Sequence, residues 1–398
     1  MVVYNKLPLV DQETQASDDA TFQEDLPTKG GLSGIDLMFR VSNATGQYGA
    51  GGLNILDILE EVKIVVNGDV NIFALSGPEL FRHAWVRDGK PPWYEFNERN
   101  SEYQYVNVPI RFGRYLGDPL YGMKLSAFQN AQIVVDHNVT PVTAGDSVAN
   151  VGYVSGSLQV NAQLHVTPAD KEPAYRGTIG TREFYTYSTT ANEEKRIELP
   201  TQHPYVGVGV YLHKDATWIY NLIDKVRFSL DNDEKQPIRG RWRNHVMNTQ
   251  EMLDVETLVY LANVGDLGTL DNIIDHVRSI QIKPGWTDIG DTGTILEWNP
   301  TFALSGSRLT WAAITEKTMA AADGGAISAA ERSGNAPFDV MIQGDLANYI
   351  YWPFGDRMLL DELHNPALYS KNEVVLEVGS TGSATAAMIV EELRPVTG

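Results

Sequence analysis

Residues 26–42 read LPTKGGLSGIDLMFRVS, and residues 199–215 read LPTQHPYVGVGVYLHKD. At their offset of 173, Ile35, Leu37 and Phe39 fall on Val208, Val210 and Leu212, and Gly34 falls on Gly207. Between them stand Asp36, Met38 and Arg40 in one copy and Gly209, Tyr211 and His213 in the other. Successive side chains of a strand point to opposite faces, so this spacing predicts, in each copy, a strand with one face on a core.

Further blocks recur in the same order. ILEEVKIVVNGD (58–69) matches LIDKVRFSLDND (222–233) at an offset of 164, with Val62, Ile64 and Val66 on Val226, Phe228 and Leu230. On the opposite face Lys63 matches Arg227, and both strands run into an Asn/Asp/Gly turn. VPIRFG (108–113) resembles YWPFG (351–355), and FQNAQIVVDH (128–137) resembles YSKNEVVLEV (369–378), where Asp136 falls on Glu377. A last apolar stretch closes each copy, 157–166 and 384–393. The blocks predict an all-β chain of two tandem β-sandwiches, residues 26–180 and 181–398. Residues 1–25, acidic and without an apolar run, read as a flexible N-terminal arm.

The copies differ in one interval. From Asn67 to Pro109 is 42 positions, and from Asp231 to Pro353 is 122. Insertions in a sandwich occupy end loops, so the extra chain, about residues 234–345, is expected as a cap or tower. A helix is expected over 249–263, where Met252, Val255, Leu258, Val259 and Ala262 share one side.

Composition narrows the function. The 398 residues include no cysteine, which excludes disulfides, thiolate metal sites and a cysteine nucleophile. The formal net charge of −20 repels phosphate backbones, so direct broad nucleic-acid binding is not expected. No apolar run reaches the roughly 18 residues that span a bilayer, and the first residues lack the basic start and apolar core of a signal peptide.

No catalytic, cofactor-binding or metal-ligating residues are assigned. The eight histidines, His83, His137, His165, His203, His213, His245, His276 and His364, show no ligand spacing. His203 and His213, near Asp215, read as a solvated strand edge. DNDE (231–234) lacks the pattern of an EF-hand loop and reads as a turn. GDLGTLD (265–271) and GDTGTILEW (290–298) do not fit a phosphate-binding loop, and no G-x-S-x-G elbow occurs. HAWVRDGKPPWYEFNER (83–99) sets Trp85, Trp93, Tyr94 and Phe96 near Asp88, Glu95 and Glu98. That composition could line a sugar groove with paired carboxylates; the reading preferred is a surface loop whose aromatics pack between barrels or against neighbouring subunits. NAT (43–45) and NVT (138–140) match the glycosylation sequon.

The tandem units, the run EEVKIVVNGDVNIFALSGPELF (60–81) followed by P-x-x-F-G (109–113), and the late Y-x-P-F-G (351–355) with MLLDELHNPALYSKNEVVLEV (358–378) resemble the double jelly-roll major capsid proteins of the tectivirus and adenovirus lineage. The resemblance implies two eight-stranded jelly rolls and a homotrimer whose six barrels tile an icosahedral shell in the virion. It also implies a structural protein with no enzymatic activity and no cofactor. The partners implied are the chain itself, minor capsid or vertex proteins, and an internal membrane at the lower ends. The alternative is a two-domain β-sandwich that binds or cleaves carbohydrate, and a third reading is a vertex spike.

Overall fold

Short runs of Val, Ile, Leu, Phe and Tyr, broken by Asn, Asp, Gly and Pro, fold as strands along nearly the whole chain. The computed structural model describes residues 5–44, 55–97, 101–139, 152–214, 222–256, 346–356, 358–360 and 363–396, and the backbone of the strands between 258 and 345. The first barrel is built from β1 (Asn5–Thr14), β2 (Asp19–Asp25), β3 (Gly31–Ser42), β4 (Leu59–Val66) and β5 (Val70–Leu75), then helix α1 (Gly77–Asp88). It continues through β6 (Trp93–Asn97), β7 (Tyr103–Arg111), β8 (Met123–Lys124), β9 (Ala131–Asn138) and β10 (Gln159–Thr167). Two sheets face each other, in the orders β1-β10-β3-β7 and β2-β9-β4-β5.

The second barrel uses β11 (Gly177–Ser188), β12 (Glu194–Glu198), β13 (Tyr205–His213), β14 (Ile223–Leu230) and β15 (Lys235–Arg241), then helix α2 (Trp242–Met252). An insertion follows with β16 (Leu258–Val264), β17 (Gly268–Asp271), β18 (His276–Pro284), β19 (Thr301–Ser305), β20 (Arg308–Ala312), β21 (Glu316–Ala321), β22 (Ile327–Arg332) and β23 (Phe338–Asp345). The barrel closes with β24 (Tyr349–Pro353), β25 (Asn372–Val378) and β26 (Thr385–Pro395). Its sheets run β11-β26-β13-β24 and β12-β25-β14-β15. This is the strand order of the first barrel, position for position, and it is the order of a jelly roll. Each block matched along the sequence falls on equivalent strands. The charges match as well: Lys63 Nζ lies 2.6 Å from Asp136, and Arg227 Nη1 lies 2.7 Å from Glu377. Apolar alternation alone does not require this equivalence.

Three expectations are corrected. Residues 5–25 are no free arm: β1 pairs with β10 and β2 with β9, as the first two strands of the first barrel. Both are edge strands with one wet face, and only Val10 and Phe22 are buried in them, so their polar surface hid their pairing. The extra chain of the second unit starts later than residue 234, because β15 and α2 are the counterparts of β5 and α1. The helix expected over 249–263 covers 242–252 instead. Residues 258–264 are a strand paired antiparallel with 338–344, which agrees with the Leu-Val-Tyr-Leu run there.

The two barrels share hydrogen bonds. β5 pairs in parallel with β11 (Phe73 with Thr181, Ala74 with Arg182), so one eight-stranded sheet crosses both barrels. At the other end, β16 of the insertion pairs in parallel with β6 of the first barrel.

The second copy of the opening motif departs from simple alternation. Eight consecutive residues of β13, Tyr205–Leu212, are buried. One face, Val208, Val210 and Leu212, lies in the second barrel's own core. On the other face Tyr211, Tyr349, Tyr351, Ala387 and Ile389 belong to the core cluster of the first barrel. Gly207 and Gly209 leave room there for rings. A Cβ on Gly207 would sit 2.0 Å from the Tyr351 hydroxyl oxygen, and one on Gly209 would sit 2.3 Å from that of Tyr349. Gly207→Ala and Gly209→Ala should each cost about 1–3 kcal/mol by overpacking, read as a lower denaturation midpoint at unchanged m-value. Unchanged midpoints would mean that the rings are not held in these notches.

Candidate functional site

Where both faces of a sheet are covered within one chain, the covering element defines an interface. Here it is α1. Ser76 precedes the helix, and its backbone N–H donates to the Glu79 carboxylate at 3.0 Å, closing the first turn. Gly89 ends it in the left-handed conformation at φ 72°. Nine of its residues are buried, including Leu80, Phe81 and Trp85. Full burial of such side chains is worth on the order of 2–3 kcal/mol each, gross.

The polar side of α1 meets the second barrel. Arg82 Nε donates to Asn348 Oδ1 at 2.7 Å, and its guanidinium lies 5.1 Å from the centre of the Tyr211 ring. His83 Nδ1 is 3.2 Å from the Tyr349 hydroxyl, and its ring meets Tyr349 and Tyr351 edge-on. The Tyr351 hydroxyl donates to the buried Glu391 carboxylate. Below the helix C-terminus, Trp85 Nε1 donates to the Glu256 carbonyl at 2.9 Å, and the Glu256 N–H to the Gly89 carbonyl at 2.7 Å. At the far edge Arg394 Nη1 donates to the Asn71 carbonyl at 2.8 Å. Hydrogen bonds between polar groups therefore cross the seam as well as lying within each barrel.

One pair in the seam is of like charge. Glu79 on α1 is buried against Glu183 on β11. Burial, and then the Glu183 carboxylate, push the Glu79 carboxyl up to about 8. Burial raises Glu183 too. Glu183 also lines a cleft with Glu60, Glu61 and Asp136, so the pair has a route to solvent.

The residues singled out in sequence are dispersed. His83 is in the seam, His165 Nε2 pairs with Asp36 at 2.7 Å, and His245 lies edge-on to Trp352. His364 stacks between Tyr205 and Tyr369. His213 is exposed and stacks on Tyr211, while Asp215 lies outside the described residues. Among the described residues no group of three or more acidic or histidine side chains could hold a metal ion. Asp231 of DNDE accepts from the Ser370 N–H at 2.7 Å, and Asp233 pairs with Arg196 and Arg227. Segment 83–99 does not form one aromatic strip: Trp85 is buried, Tyr94 is half-buried against Phe81, and Trp93 is exposed. Phe96's side chain and Glu98 lie outside the described residues. Asn43 of the first sequon is fully buried; Thr45 and Thr140 lie outside the described residues. Glu79, Arg82 and Tyr349 were not singled out in sequence, and Tyr351 only as the first residue of Y-x-P-F-G. For the two tyrosines the signal was alternate glycines in one strand against alternate tyrosines in its neighbour.

No protein-family model and no curated protein matches the sequence. The fold does match solved structures. The major capsid protein of Sulfolobus turreted icosahedral virus superposes with a TM-score of 0.57 at 10% identity, over 98% of this chain and 97% of that one. The major capsid protein P2 of bacteriophage PM2 gives 0.51 at 8% identity, over 99% and 98%. The chain therefore has the double jelly-roll fold of these proteins over its whole length.

Between the ordinary carboxyl value of 4.5 and about 8, the folded chain keeps a proton on Glu79 that the unfolded chain releases. Stability from this group therefore falls as pH rises through that window. Glu79→Gln keeps an acceptor for the Ser76 N–H and carries no charge. It should exceed the wild type by at least about 1.4 kcal/mol at pH 8 and lose that advantage near pH 4, as read from unfolding curves across the range. A constant difference at all pH values would rule out the shared proton.

Proposed function

We propose that this chain is the major capsid subunit of an icosahedral virus. In this reading it is a structural protein rather than an enzyme, and it resides in the virion shell. Three copies form a ring of six barrels, and the ring occupies a near-sixfold position. The observation that carries this reading is the doubling itself: one strand order occurs twice in a single chain, joined by a continuous sheet and a shared core. A trimer of such chains offers similar surfaces at six places with only one kind of contact between chains. The full-length match in fold to two viral major capsid proteins supports the same reading.

Assembly must overcome the repulsion of chains that each carry −20. Exposed charges are screened beyond about 8–10 Å at physiological salt. An obligate interface of about 2,000 Å², about 65% apolar, gains near 30 kcal/mol gross at about 25 cal/mol per Å². Association costs about 4–15 kcal/mol. Burial wins, and added salt helps it.

Light scattering of the purified protein should give three times the 44.1 kDa chain mass, and electron microscopy should show six-lobed particles. The trimer fraction should rise with salt between about 0.05 and 0.5 M. A monodisperse monomer across that range would refute the capsid reading.

A further inference from the structure

Resting on the capsid reading and naming the surface it requires, we propose that the exposed face of α2 docks on the outer face of β3, β7 and β6 in a second copy of this chain. The template is the contact that the chain already makes once within itself.

Helices α1 and α2 occupy equivalent places, each directly after the fifth strand of its barrel. Aligned from their first residues, Phe81 falls on Val246, and both lie in their own barrel's core. On the same alignment, the α1 residues that meet the second barrel, Glu79, Arg82 and His83, fall on Asn244, Met247 and Asn248. All three of these are exposed. Met247 is 58% exposed and Met252 is 68% exposed, an unusual state for methionine on a helix otherwise well anchored. The anchoring comes from Trp242 Nε1, which donates to the Ala347 carbonyl at 2.7 Å, and from Thr249 Oγ1, which donates to the Tyr351 carbonyl at 3.2 Å.

The receiving face is equally incomplete. In the second barrel α1 lies over Tyr211 at the end of β13 and over Tyr349 and Tyr351 in β24. In the first barrel Met38, Asn107 and Pro109 hold the register places of Tyr211, Tyr349 and Tyr351, and two to four residues further along the same strands stand Arg40, Tyr105 and Tyr103, with Trp93 beside them on β6. The Trp93 and Tyr103 rings each lie 6.2 Å from Tyr105. Trp93 is 54% exposed, and Met38 and Tyr103 are each 37% exposed. The Arg40 guanidinium stacks 3.5 Å over Tyr103 and meets no carboxylate of its own chain among the described residues. Glu251, exposed one turn beyond Met247, would bring a carboxylate to that cation. A helix without its sheet and a sheet without its helix are both exposed on one chain, so the contact is not made internally. A second copy supplies each half, head to tail, and such a contact closes into a ring.

Because the chain has no cysteine, introduced thiols are unambiguous. Mixing Met247→Cys protein with Met38→Cys protein should give a cross-linked dimer with a short bis-maleimide, whereas Leu368→Cys mixed with Met38→Cys should give none. Met247→Asp should weaken trimer formation at least tenfold by light scattering while leaving the circular dichroism of the chain unchanged. Trimers in which Met247→Cys and Met38→Cys chains form no cross-link, and which survive Met247→Asp, would overturn this inference and leave the capsid reading standing. A wild type that is monomeric at every salt concentration would overturn both.

Discussion

The outer face of the sheet β11-β26-β13-β24 is buried along most of β13, β24 and β26, where α1 lies on it. The other features of the second barrel follow from this contact. Strand β26 must be apolar on both faces, so Ala386, Met388 and Val390 enter one core while Ala387 and Ile389 enter the other. Strand β13 must be thin where the tyrosines of β24 stand, hence Gly207 and Gly209. Because the partners belong to one chain, the contact escapes the translational and rotational cost of association, about 4–15 kcal/mol for separate molecules. The pairing of β5 with β11 adds direction and register to what burial alone would leave loose.

The distribution of charge follows the same division of faces. The outer faces of the sheets β2-β9-β4-β5 and β12-β25-β14-β15 carry cross-strand ion pairs, Lys63 with Asp136 in one and Arg227 with Glu377 in the other. Lys63, Asp136 and Glu377 keep part of their surface in water, while Arg227 is buried and is held by Glu377, Asp233 and Glu194 together. These pairs keep an acidic chain's carboxylates near cations and keep those faces wet. Glu79 and Glu183 are the exception. They sit where the barrels meet, and a shared proton replaces a counter-ion.

The two barrels are equal in topology and unequal in finish. The helix after the fifth strand has nine of its twelve residues buried in the first barrel and four of its eleven in the second. The loop that follows is short in the first and extends into an eight-strand insertion in the second, which continues the sheet of the first barrel through β6. The asymmetry is what an element needs if one of its contacts is made within a chain and the other between chains.

Much of this was legible in the residues. Alternation at Ile35-Leu37-Phe39 and Val62-Ile64-Val66, repeated further along, determined the strands and their doubling, because period-two burial is local. The edge strands 5–14 and 19–25 were not legible, since an edge strand's hydrogen bonds come from a distant neighbour and its side chains look like loop. Nor was the seam: Arg82, His83, Tyr349 and Tyr351 are separated by some 266 positions and become one site only when the barrels lie side by side. Sequence by itself determined one water-avoiding face of each inner strand. Tertiary structure alone decided which second surface each of them meets, because burial has no direction until the partner face is in place.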